Sequence, residues 1–197
     1  MFGARARLTI ASVAAAALLA GAAPTSAAPP ASLPAHVYAP YFETWTTDSI
    51  TTIAQDSGAR YFTLAFLETL GKSSCTLAWN GDRAQTISAG RYLSDIASLR
   101  ALGGDVFPSF GGWSADQGGT EIADSCKDVN AIAAAYEDLI TTYDVKRLDM
   151  DVEGRSLTRT AGIDRRDRCV TTSASEGPLK ANPAYRHAAF GNGALKP

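Results

Sequence analysis

The chain has 197 residues, 46% hydrophobic and 19% charged, with 18 lysines and arginines against 20 aspartates and glutamates. That composition suits a globular domain, and a net charge of −2 supplies no basic surface, so nucleic acid and anionic membrane are poor partners. No GxGxxG or P-loop spacing occurs, and His36 and His187 lack any spaced ligand set, so no cofactor, metal or Ser-His-Asp triad is expected.

Residues 1–28 read as an export signal. Arg5 and Arg7 form a positive start, Leu8 to Ala23 an Ala/Leu-rich apolar run, and Thr25-Ser26-Ala27-Ala28 a small-residue cleavage site. The run is too short, and too closely flanked by Pro and small residues, for a good membrane span. The mature chain is therefore expected to be secreted and extracellular, free of membrane, with about 170 residues in one domain. Its oligomeric state is not legible.

The first strand candidate is His36 to Phe42, with Pro40 acceptable only where no ladder donor is needed. Thr47 or Asp48 can cap a short helix through Ile50 and Ile53 that Gly58 closes. Tyr61 to Leu67 is a near-continuous apolar run, as expected of a strand buried on both faces. A polar loop with Gly71, Cys75, Asn80 and Gly81 follows. Tyr92, Leu93, Ile96, Leu99 and Leu102 give helical spacing over 88–102, stopped by Gly103-Gly104. Val106 to Phe110 is the next strand, followed by a Gly-rich loop. A helix near 127–143 then places Ile132, Tyr136, Leu139, Ile140 and Tyr143 on one face.

The most informative stretch comes next, Val145 to Glu153. Leu148, Met150 and Val152 alternate with Asp149, Asp151 and Glu153, the period of a β-strand with one apolar face and one face of three carboxylates. Same-face neighbours on a strand lie roughly 7 Å apart, so at least one pKa should be raised and one proton retained near neutral pH. A solvated antiparallel face or a loose DxD metal site would give the same triplet. Helix-like sequence before it favours a parallel, buried strand, where carboxylates are costly without partners or a chemical role. The order β-α-β-α-β-α-β implies a parallel sheet, either doubly wound or a (β/α)8 barrel.

Asp149-x-Asp151-x-Glu153 resembles the DxDxE signature of family 18 glycoside hydrolases, the chitinase family. Ser109-Phe110-Gly111-Gly112-Trp113, 36 to 44 residues upstream, is similar to the SxGG motif that this family carries on its third strand. One departure is visible: the family's fuller pattern begins Asp-Gly, where this chain has Lys146 and Arg147. The resemblance selects an α/β fold of (β/α)8 TIM-barrel type, whose active sites collect at the carboxyl ends of the strands.

The resemblance also implies roles. Glu153 would be the general acid and then the base, Asp151 would orient the acetamido group of the sugar, and Asp149 would pair with Asp151. The nucleophile would be the substrate's own acetamido oxygen, with retention. Ser109, Gly111 and Gly112 would lie against substrate and carboxylates, and Tyr41, Trp45 and Trp113 would offer flat apolar faces to sugar rings. The implied partner is chitin or an N-acetylglucosamine oligosaccharide. Cys75 and Cys126 fall in loops at the same end of such a barrel and are expected to pair, although connectivity does not follow from sequence.

The resemblance covers 36–168, about half of a barrel that typically needs about 250 residues. Ser156 to Arg168 reads as the start of a fourth helix, whereas Thr171 to Pro197 shows no period. The expected organisation is a signal over 1–28, the amino-terminal half of a catalytic barrel over 29–168, truncated after about four βα units, and an irregular, out-of-frame tail over 169–197. Such a half barrel would leave its first and fourth strands with open edges. A chitinase, with activity of the short chain itself left open, and a non-catalytic carbohydrate-binding relative are the two functions carried forward.

Overall fold

The computed structural model describes Pro34, residues 36–175 and residues 189–190; the export-signal segment 1–28 and the remainder of the tail lie outside the described residues. Its centre is a sheet of five parallel strands in the order β1 (Tyr41–Glu43), β2 (Tyr61–Thr69), β4 (Asp105–Gly111), β5 (Asp149–Asp151) and β6 (Ala189–Phe190). A short strand, β3 (Leu77–Trp79), pairs antiparallel with the end of β2. Helices α1 (Ile50–Ser57), α2 (Leu93–Ala101) and α5 (Val129–Tyr143) make crossovers, and α3 (Gly112–Gly118), α4 (Ile122–Ser125) and α6 (Thr160–Ser175) are the other α-helices among the described residues. This is a TIM-barrel type of wall, part of the circle.

Local sequence explains most boundaries. The first strand is Tyr41–Glu43, not 36–42. Pro40 has no N–H, and its carbonyl accepts from Thr63 N–H just before the ladder begins (2.9 Å). Helix α1 is capped by Ser49, whose side chain accepts from Thr52 N–H, instead of by Thr47 or Asp48. Helix α2 starts at Leu93 and not at 88, because Gly90 and Tyr92 take left-handed conformations and leave only 3-10 turns upstream. The Tyr92 hydroxyl instead donates to Thr44 O (2.9 Å) and ties α2 to the end of β1. On α5 the apolar face Ile132, Tyr136, Leu139, Ile140 and Tyr143 is buried as its spacing requires.

Three expectations are corrected. The segment read as a polar loop contains β3, three residues with all side chains buried. Trp79 donates from Nε1 to Tyr143 Oη (3.0 Å) and packs edge-on against Tyr92 and Tyr143. Helix α6 runs to Ser175, beyond the start of the expected irregular tail. No Gly or Pro interrupts 163–175, whereas Gly177-Pro178 follows at once. Nor is the acidic strand β5 an open edge: Asp149 and Met150 register with Ala189 and Phe190.

Asp95 joins two crossover helices. Its carboxylate accepts from Ile50 N–H (2.6 Å), Thr51 N–H (3.0 Å), Ser49 Oγ (3.0 Å) and the Thr51 hydroxyl. Burial pushes the Asp95 pKa up, but these hydrogen bonds outweigh it and hold the group below the usual value. A depressed carboxylate stabilises the fold above its unfolded pKa and loses that contribution as pH falls through the folded value. Asp95→Ala is expected to cost about 1–2 kcal/mol at pH 7, the range of a lost cap, with a smaller difference at pH 3. Urea titrations at the two pH values check this.

Candidate active site

The carboxyl ends of β1, β4 and β5 meet at one rim. In the β4–β5 ladder Ser109 registers with Asp149 and Gly111 with Asp151. Leu148, Met150 and Val152 point into the core at 0, 3 and 8% exposure, which leaves Asp149, Asp151 and Glu153 half-buried on the opposite side. Ladder pairing ends at Asp151, so Glu153 projects from the chain just past the strand.

Asp149 is held by two hydroxyls. Ser109 Oγ donates to its Oδ2 at 2.7 Å, and Tyr41 Oη reaches the same oxygen at 3.4 Å. Burial, then the charges of Asp149 and Asp151, push the Tyr41 pKa up to about 12, so its phenol remains a donor across the physiological range. The Asp151 pKa is raised to about 6, first by burial, then by the charges of Glu153 and Asp149, and by a hydrogen bond to Glu153. Glu153 and Asp149 thus both act on Asp151 through their charge, while Oδ2 of Asp149 is the oxygen held by Ser109 and Tyr41.

Ionising a carboxyl whose folded pKa is raised costs stability as pH climbs from its unfolded value, about 3.9, to its folded value. Asp151→Asn should therefore stabilise the protein at pH 7, by about 1 kcal/mol once solvent screening of a half-exposed site is allowed for. The gain should vanish below pH 4. Thermal or urea unfolding of both forms at pH 3.5 and 7 tests it.

Glycine is required at the two positions beside the carboxylates. At Gly111 (φ +101°) a Cβ would stand 2.3 Å from Asp151 O, and at Gly112 (φ +81°) it would meet the Phe66 ring at 2.7 Å. Phe66, which the sequence presents as one more core residue of β2, instead links the aromatic residues of the site. Its ring lies 5.7 Å from Tyr41 and 6.4 Å from Trp45, nearly parallel to the latter. Tyr41 and Trp45 are 55 and 50% exposed, so together with Phe66 they present an open aromatic surface beside the acids. Trp113, 68% exposed, follows Gly112 at the start of α3.

The structure thus gathers Tyr41, Trp45, Ser109, Gly111, Gly112, Trp113, Asp149, Asp151 and Glu153 at the ends of β1, β4 and β5. Cys75 and Cys126 are joined in a disulfide with Cα atoms 4.7 Å apart, which links the loop before β3 to the end of α4. A groove of about 590 Å³ beside β1 is lined by Tyr38, Phe42, Ile53 and Phe62, touches the site only through Tyr41, and includes none of the three carboxylates.

No family model matches the chain. Over 139 residues it is 34% identical to a probable bifunctional chitinase/lysozyme of Escherichia coli (strain K12), a match that spans 70% of this chain and 15% of that protein. Endochitinase 11 of Metarhizium anisopliae is likewise 34% identical over 139 residues, 70% of this chain and 25% of its own length. Active domain 2 of a thermostable chitinase from Pyrococcus furiosus, solved as catalytic site mutants complexed with chito-oligosaccharides, superposes with a TM-score of 0.54 at 26% identity. That superposition covers 69% of this chain and 44% of the other.

The chain is family 18 chitinase-like. It spans a quarter or less of the curated relatives' length and under half of the structural neighbour. The strand ends that carry its Ser109–Trp113 and Asp149–Glu153 stretches are those of β4 and β5. What sequence reasoning missed is Phe66, which an apolar run conceals, and the buried polar residues Asp116 and Ser156 behind Glu153. Nothing in the periodicity of 112–118 or 154–157 separates those two from ordinary loop polarity.

Proposed function

We propose that the protein is a secreted glycoside hydrolase that cleaves β-1,4-linked N-acetylglucosamine by substrate-assisted, retaining catalysis. The observation that carries this reading is the face of three half-buried carboxylates, Asp149, Asp151 and Glu153, at the end of β5, with Asp149 fixed by Ser109 and Tyr41. Glu153 delivers its proton to the glycosidic oxygen as the bond to C1 breaks. The acetamido oxygen of the same sugar attacks C1 and closes an oxazolinium ring. Asp151 accepts from the acetamido N–H, and its charge offsets the positive charge that develops. Glu153 then takes a proton from the water that opens the ring, which returns the β-configuration. Any apparent pKa of this cycle belongs to the carboxylates jointly.

The aromatic surface of Tyr41, Phe66 and Trp45 supports a sugar chain as the occupant, because pyranose faces are apolar and flat while their rims are hydroxylated. Chitin and its oligosaccharides are the substrates proposed, and the leader-like residues 1–28 support an extracellular setting. Incubating the full chain with N-acetylchito-oligosaccharides and following shorter products by chromatography tests the reading. Turnover supports the hydrolase. Saturable binding without products would support a carbohydrate-binding relative instead.

A further inference from the structure

Glu153 is too far along the chain to be fixed by the β4–β5 ladder, so something else must set where its carboxyl reaches. The turn Gly154–Leu157 that follows it is anchored from behind. Ser156 N–H is shared between Glu153 O (3.0 Å) and Asp116 Oδ1 (2.7 Å). Asp116 and Ser156 are 2 and 0% exposed. The second carboxylate oxygen of Asp116 accepts from Gln117 Nε2 (2.9 Å), so its orientation is determined on both sides.

The anchor continues outward. Ser156 Oγ donates to Asp124 Oδ2 (2.6 Å) and lies 3.2 Å from Asp116 Oδ1, while Arg159 pairs with Asp124 and reaches Asp116 O (3.4 Å). A buried carboxylate on a helix of seven residues is a costly way to join two loops, since apolar packing would do so without desolvating a charge. Its yield is direction: a short hydrogen bond from one backbone N–H, three residues after Glu153. The same helix begins at Gly112 and carries Trp113, so the tie also sets Glu153 relative to that rim.

We propose that Asp116 is a positioning residue, which through the Ser156 N–H fixes the turn after β5 and thereby holds Glu153 against Asp151. This rests on Glu153 being the acid of the proposed hydrolase, but its first readout needs no substrate. Glu153 is one of the groups that raise the Asp151 pKa. If Glu153 swings away, the Asp151 carboxyl must titrate lower.

Carboxyl carbon NMR titration of the full chain reads this directly. In the native protein Asp151 should titrate near 6. In Asp116→Ala, with the fold verified by near-UV circular dichroism, its midpoint should fall below the native one, while burial and Asp149 hold it above the ordinary aspartate value. Asp116→Asn keeps an acceptor for Ser156 N–H and should keep the native midpoint. Asp116→Leu, close in volume but without an acceptor for Ser156 N–H, should give the same fall, and it decides the matter if Asp116→Ala does not fold. An unchanged Asp151 midpoint in a folded Asp116→Ala, or in Asp116→Leu where that variant must decide, overturns the proposal. With a chito-oligosaccharide, kcat should drop about 100-fold in Asp116→Ala at constant KM and recover in Asp116→Asn. Absence of turnover in the native chain would count against the hydrolase reading alone and leave the titration standing.

Discussion

Glu153→Gln is expected to lower turnover of chito-oligosaccharides by at least about 100-fold and up to about 10⁴-fold, the range carried by a positioned general acid, while binding is retained. The reason is local. The amide has the shape of the carboxyl and still meets the ends of β4 and β5, but it has no proton to give the leaving oxygen. The raised pKa of Asp151, about 6, adds a pH signature. Asp151 ionises as pH rises through that value, so the rate should change there. Asp149, whose charge helps to raise Asp151, is held by Ser109 and Tyr41, so Tyr41→Phe should disturb the pH profile more than the binding of sugar. A Glu153→Gln protein that turns over at the native rate would move the acid elsewhere. The measurement is a steady-state rate series from pH 4 to 8 with calorimetric binding of the same oligosaccharide.

Trp79→Ala is expected to cost about 3–5 kcal/mol, the range for removing a large aromatic from a filled core. That is a large part of the total stability of an ordinary domain. Trp79 is fully buried, fills the space between Tyr92 and Tyr143, and supplies the hydrogen bond to Tyr143 Oη. Truncation opens a cavity and leaves a buried hydroxyl without its donor. Tyr92 in turn holds Thr44, next to Trp45, so the loss should loosen the aromatic surface as well as the core. Trp79→Phe, which keeps much of the volume but not the N–H, should cost less. Urea unfolding at pH 7 separates the two, and a cost for Trp79→Ala below about 1 kcal/mol would mean that the strand Leu77–Trp79 is not part of the core.

The carboxylate face was legible because it is written in period 2: Leu148, Met150 and Val152 alternate with the three acids, and burial follows that alternation residue by residue. The crossover helix Val129–Tyr143 was legible for the same kind of reason at period 3.6. Strand β3 was not, because three residues are too few to establish a period and its Trp79 is surrounded by loop-like Thr, Asn and Gly. The start of α2 was misplaced because a helical pattern of apolar residues continues through Tyr92, while the left-handed backbone there is set by tertiary packing of its ring. Helix α6 exceeded its expected length because Thr and Ser lower helix propensity without stopping a helix as Gly-Pro does. Asp116 and Ser156 could not be found at all from spacing. Their meeting is made by a short helix and a turn 40 residues apart, and only the fold brings them together.

The measurement that bears most directly on the mechanism compares N-acetylchito-oligosaccharides with their deacetylated counterparts on the full chain, with proton NMR of the first product anomer. Substrate assistance predicts cleavage of the acetylated chains only, because the acetamido oxygen is the nucleophile, and appearance of the β-anomer before mutarotation. Cleavage of the deacetylated chains at a similar rate, or an initial α-anomer, would contradict substrate assistance at Asp149, Asp151 and Glu153.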